Sequence, residues 1–154
     1  MNTFMKLAID EAMIGIKKRH GGPFGSVVVK DGMVIGRGHN MVIGTNNPTS
    51  HGEIVAIREA SKTLNSFDLS DCQLYTTCEP CPMCYGAIHW SRIKRVYYGC
   101  TREDAKAIGF DDELLYQILK RDDRVSTIEL IQINRDECLR IFIEYDKDES
   151  KVLY

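Results

Sequence analysis

The spacing of apolar residues changes along the chain, and each change marks an element. Phe4, Leu7, Ala8 and Ala12 share one face at helical spacing. They predict an opening helix that stops before Gly21-Gly22-Pro23, a run that supports no helix. Val27-Val28-Val29 and Met33-Val34-Ile35 flank Asp31-Gly32, an arrangement that predicts a β-hairpin. A polar loop with Asn40, Asn46, Asn47 and Pro48 follows. Ile54, Ile57, Ser61 and Leu64 return to helical spacing and predict a helix over 50–64. Strands are expected over 73–77, 95–99 and 128–133, and helices over 82–90 and 111–119. Pro82 falls in a first helical turn, where its missing N–H costs nothing. Cys138, Ile141, Phe142 and Tyr145 form a last helical face. A hairpin followed by alternating helices and strands predicts one α/β domain over 1–154, a three-layer α/β/α sandwich around a mixed five-stranded sheet.

Composition narrows the function classes. The chain has 154 residues, 44% hydrophobic and 27% charged, enough apolar content to bury a core. Lys and Arg total 20 against 22 Asp and Glu, a formal net charge of -2. That balance disfavours a nucleic-acid surface, and the stretch 136–149 sets six acids against Arg140 and Lys147. No apolar run approaches the roughly 18 residues of a membrane span. The start, with Asp10 and Glu11, carries no secretory signature, so the expected site of action is the cytoplasm.

Candidate chemistry lies in Thr49-Ser50-His51-Gly52-Glu53 and Cys78-Glu79-Pro80-Cys81-Pro82-Met83-Cys84. Cys81 and Cys84 are three apart at a predicted helix start, so both sulfurs can face one ion. The positive end of the helix dipole favours thiolate, the form that binds zinc. His51, at another helix start, adds a nitrogen. One nitrogen and two sulfurs leave a tetrahedral Zn2+ with an open position, the layout of a catalytic site. Glu53 points about 200° around the helix from His51 and is badly placed to join it on the metal. It can instead serve a water at the open position, taking a proton and passing it to a leaving amine.

Three other readings stand beside this one. Ser50-x-x-Glu53 is also a capping box. Cys78 offers a fourth ligand, which would close a structural zinc site and make the chain a zinc-stabilised binding module. A Cys–His nucleophile pair is the third, without a local signature. The remaining cysteines, Cys72, Cys100 and Cys138, read as core thiols.

His51-x-Glu53 with Pro80-Cys81-x-x-Cys84 resembles the signature of zinc deaminases. The chain is similar to the cytidine deaminase-like superfamily nearly end to end, from Gly21-Gly22-Pro23-Phe24-Gly25 to Gly109-Phe110-Asp111-Asp112 and Tyr154. Within it the likeness is strongest to small bacterial guanine deaminases. That resemblance implies hydrolytic conversion of guanine to xanthine and ammonia, with one Zn2+ on His51, Cys81 and Cys84 and Glu53 as proton carrier. It also implies Asn40 on the substrate ring, Phe24 near the base plane, Asp112 rather than Asp111 on the purine, and Tyr154 closing the pocket. It points further to a homodimer, with exchanged C-terminal segments as one form of it. Gly52 departs from the family, which commonly has Ala there. Guanosine, cytosine and a tRNA adenosine are the rival substrates.

Overall fold

The computed structural model describes residues 2–120, 132, 134–147 and 149. Helix α1 (Thr3–Lys17) starts at Asn2, whose side-chain oxygen accepts from the N–H groups of Phe4 and Met5. Strands β1 (Gly25–Lys30) and β2 (Met33–His39) form the expected hairpin. Asp31 and Gly32 both adopt positive φ, 50° and 76°, the backbone that a two-residue primed turn requires. Next come α2 (Val42–Thr45), α3 (Gly52–Leu64), β3 (Gln73–Cys78), α4 (Pro82–Trp90) and β4 (Arg95–Cys100). The order closes with α5 (Arg102–Ala107), α6 (Glu113–Leu119) and α7 (Arg135–Lys147).

The sheet runs β2-β1-β3-β4, antiparallel at its first two pairings and parallel between β3 and β4. It is mixed, as expected, but has four strands rather than five among the described residues. The fifth, expected over 128–133, lies outside the described residues but for position 132, which is not in a strand.

Strand alternation divides the core into two layers. Val28 and Leu74 face α3 and α4, packing with Ala56, Ala60 and Ile88. Val27, Val29 and Tyr75 point the other way, against Ala8 of α1 and its neighbours Phe4 and Leu7. Small residues set the depth of the α3 layer. A Cβ on Gly38 would lie 2.4 Å from the Gly52 carbonyl oxygen and 2.6 Å from the Ala56 nitrogen. Gly36 meets Ala56 and Ala60 in the same way. Both glycines are therefore the floor on which α3 rests.

Cys72 is buried as expected, whereas Cys100, at the end of β4, is exposed. It ends a strand whose outer edge no described strand covers, so it does not belong to the core.

Candidate active site

The two chemical segments meet at the starts of α3 and α4. His51 is the N-cap of α3 and Cys81 the N-cap of α4, with Cys84 in the first turn behind Pro82. Neither N-cap side chain makes a capping hydrogen bond, and both face the junction between the two helix starts. His51 Nδ1 lies 3.6 Å from Cys81 Sγ and 3.6 Å from Cys84 Sγ. A tetrahedron with bonds of about 2.0 Å to nitrogen and 2.3 Å to sulfur has an N···S edge of about 3.5 Å. The donor set and its spacing therefore fit one zinc ion.

The electrostatics agree with a thiolate-bearing site. A hydrogen bond from Cys84 and another with His51 hold the Cys81 thiol down to about 4. The same Cys81 contact, with burial, holds the Cys84 thiol well above its ordinary value, so the pair shares one proton. His51 is raised by its hydrogen bond with Cys81.

Cys78 does not join the group. Among the described residues, the donor atoms close enough together to hold one ion are those of His51, Cys81 and Cys84. The Cys78 thiol donates instead to the Thr101 carbonyl at 3.6 Å, and burial pushes it up to about 11. Cys78 therefore does not complete a four-ligand site with His51, Cys81 and Cys84.

Glu53 sits in the first turn of α3, 5% exposed. The capping box does not form, because the helix starts one residue later than Ser50, at His51. Freed from that task, Glu53 Oε2 accepts from the Cys84 thiol at 3.5 Å, while Oε1 accepts from the Thr76 hydroxyl at 3.4 Å. Thr76 in turn accepts from Ser26 at 3.0 Å, both side chains fully buried. Burial pushes the Glu53 carboxyl above the ordinary glutamate range. Sequence reasoning missed Ser26 and Thr76. Their only signal was a small hydroxyl residue on the same strand face as Val28 and Leu74. Gly52 lets α3 sit close, since a Cβ there would lie 3.1 Å from the Phe24 oxygen and 3.3 Å from Ser26 Oγ.

His51, Glu53, Cys81, Asn40, Phe24 and Asp112 all line one cavity of about 850 Å3. Asn40 is buried; its N–H donates to the Phe24 carbonyl at 2.8 Å and its Oδ1 accepts from Val42 N at 3.2 Å. Phe24 meets Phe110 edge to face, ring centres 4.9 Å apart. Asp111 and Asp112 have different surroundings. Asp111 accepts from Glu113 N at 3.0 Å and pairs with Lys106 at 3.1 Å, which holds it below the usual aspartate range. Asp112 is raised, by burial first and then by the charge on Cys81. Tyr154 lies outside the described residues.

Residues 1–100 match the family described as the cytidine and deoxycytidylate deaminase zinc-binding region. The chain is 46% identical over 152 residues to the guanine deaminase of Bacillus subtilis (strain 168), covering 99% of this chain and 97% of that protein. A crystal structure of guanine deaminase from Bacillus subtilis superposes with a TM-score of 0.94 at 44% identity, covering 100% of this chain and 99% of that one. A tRNA-specific adenosine deaminase of Streptococcus pyogenes serotype M1 is 42% identical over 156 residues, covering 97% of this chain and 86% of that protein. The family match spans both halves of the metal group, and the chain belongs to the zinc-binding cytidine and deoxycytidylate deaminase family.

Proposed function

We propose that this protein hydrolyses guanine to xanthine and ammonia as one deaminase domain over residues 1–154. The observation that carries the reading is a buried carboxylate, Glu53, lying against the metal group without belonging to it. Zinc, when bound by His51, Cys81 and Cys84, supplies a water whose pKa is lowered to roughly 7. Glu53 takes a proton from that water and hands it to the leaving amine. Its burial favours the protonated carboxyl, which suits it to hold the proton between the two transfers. The Thr76 hydroxyl pins Oε1 and leaves Oε2 toward the metal group. Asp112 as a carboxylate accepts only, matching the N–H donors of guanine, and the Asn40 amide supplies a second polar contact. Phe24, backed by Phe110, offers an apolar wall to the base plane, and Tyr154 closes the pocket.

The named Bacillus relative supports guanine as substrate. The Streptococcus relative supports a tRNA adenosine as the second reading, against which the acidic stretch 136–149 argues. The test is an ultraviolet assay of zinc-loaded protein on guanine, guanosine, cytosine and a tRNA anticodon stem. Guanine is expected to turn over fastest. Glu53→Ala is expected to keep its zinc and lose activity by about 100- to 10,000-fold; an active variant refutes the proton-carrier role.

The proposal includes a homodimer with exchanged C-terminal segments. Ile141 and Phe142 on α7 are 70% and 73% exposed, an apolar surface that a partner subunit would cover. β4 is exposed at every position but Val96, leaving its outer edge open to a further strand. Light scattering that returns only monomer overturns the dimer. The free thiols of Cys72, Cys78, Cys81 and Cys84 suit a reducing compartment, and we place the enzyme in the cytoplasm. Among the described residues no helix is long and apolar enough to cross a membrane.

A further inference from the structure

Behind the pocket wall, three titratable side chains that the proposed reaction does not use line up across α1, β2 and the segment that follows α1. His39 Nδ1, at the end of β2, lies 3.2 Å from Glu11 Oε2 of α1. His39 Nε2 lies 3.0 Å from Nδ1 of His20, just beyond α1, and the two rings lie end to end, 19° from coplanar, with centres 5.3 Å apart. Glu11 and His39 are 13% and 12% exposed. Space for the rings is built in by two glycines. A Cβ on Gly15 would lie 2.8 Å from His39 Cδ2, and one on Gly44 would lie 2.9 Å from His20 Cδ2.

The donor pattern follows from Glu11, because a carboxylate only accepts. His39 Nδ1 must carry the proton that bonds it. In the neutral ring His39 Nε2 is then an acceptor, and His20 Nδ1–H must donate to it. Both histidines adjoin the pocket. His39 precedes Asn40, and His20 precedes Gly21, whose Cα packs so tightly on Asn40 that a Cβ would reach 2.0 Å from Oδ1. The His20 carbonyl also accepts from Ile43 N at 2.9 Å and Gly44 N at 3.0 Å, tying in the α2 segment of the wall.

We propose that Glu11, His39 and His20 are positioning residues forming a clasp. It presses the Gly21 segment onto Asn40 and so sets how tightly the pocket holds its base, an inference that rests on Asn40 being a substrate contact. Two substitutions separate the bond from the ring. His20→Phe keeps an aromatic ring and loses the donor; His20→Asn loses the ring and keeps an amide N–H at the place of Nδ1. His20→Phe is expected to raise KM for guanine about five- to tenfold, the worth of one hydrogen bond, with kcat within twofold. His20→Asn is expected to restore most of that loss. An activity-independent arm reads the Asn40 backbone amide resonance, expected to move in His20→Phe and to stay nearer its parent position in His20→Asn. Should no base be turned over, guanine deamination fails as the function, and the Asn40 resonance alone decides the clasp. An unshifted Asn40 in His20→Phe overturns it, as does an equal loss of kcat in both variants.

Discussion

Gly38→Ala tests whether the floor beneath α3 sets the geometry of the active site. The added Cβ would meet the Gly52 carbonyl oxygen at 2.4 Å, the Ala56 nitrogen at 2.6 Å and Val55 Cβ at 2.8 Å. Two of these three atoms are helix backbone, so no side-chain rotation relieves the clash and α3 must lift or tilt. Overpacking of this kind costs about 1–3 kcal/mol, and a backbone obstacle places it near the upper end. For a domain of this size a loss of about 3 kcal/mol corresponds to a fall in Tm of roughly 6–12 °C. The helix that lifts carries His51 and Glu53 on either side of Gly52. A displacement near 1 Å at such groups costs on the order of 100-fold in turnover. The measurement pairs a thermal melt with guanine turnover on zinc-loaded protein, and Gly86→Ala serves as control. Gly86 lies within α4 with nothing within 4 Å of its missing Cβ, so alanine there gains about 0.5–1 kcal/mol. A Gly38→Ala variant with the parent Tm and turnover would refute the packing argument and its link to the site.

Two further expectations follow from the cysteines and from one surface carboxylate. Cys78→Ala is expected to retain one zinc per chain by metal analysis, because its thiol is engaged by Thr101, whereas Cys84→Ala loses the metal; equal retention removes the three-ligand assignment. Asp68 is held from 3.8 down to about 2, first by Ser70 and then by Arg92, which it meets at 2.6 Å. An acid with a depressed folded pKa stabilises the fold above its unfolded value and loses that contribution as pH falls through the folded value. Acid unfolding of the parent should therefore steepen between pH 3.8 and about 2, and Asp68→Asn should flatten that slope; identical slopes refute the pairing.

What the sequence made legible was local. Asp31-Gly32 announced its hairpin because two adjacent positive-φ residues suit little else. Pro82 and the cysteine spacing announced the start of α4 and its two sulfurs. The helix α5 carried a signal that periodicity overlooked. Thr101 and Asp104 form a reciprocal capping box, but six residues are too few to show an apolar face. At α2 the N-cap residue Met41 makes no side-chain cap, and its four residues read as loop. The Ser50–Glu53 box, a valid local pattern, lost to the one-residue shift that makes His51 the N-cap.

The rest was illegible because it depends on register between distant segments. Ser26 and Thr76 are 50 positions apart and become partners only through the β1–β3 pairing. Their place under Glu53 follows from strand period, since Ser26 and Val28 share one face, as do Thr76 and Leu74. Val28 and Leu74 pack beneath the middle of α3, against Ala56 and Ala60. One step along the same face, Ser26 and Thr76 therefore fall beneath its first turn, where Glu53 stands. A one-residue slip would turn Val27 and Tyr75 toward α3, burying a phenol under the helix and leaving Glu53 without its hydroxyl partner. The apolar pair that stabilises the sheet on α3 is thus also what aligns the hydroxyls with the carboxylate.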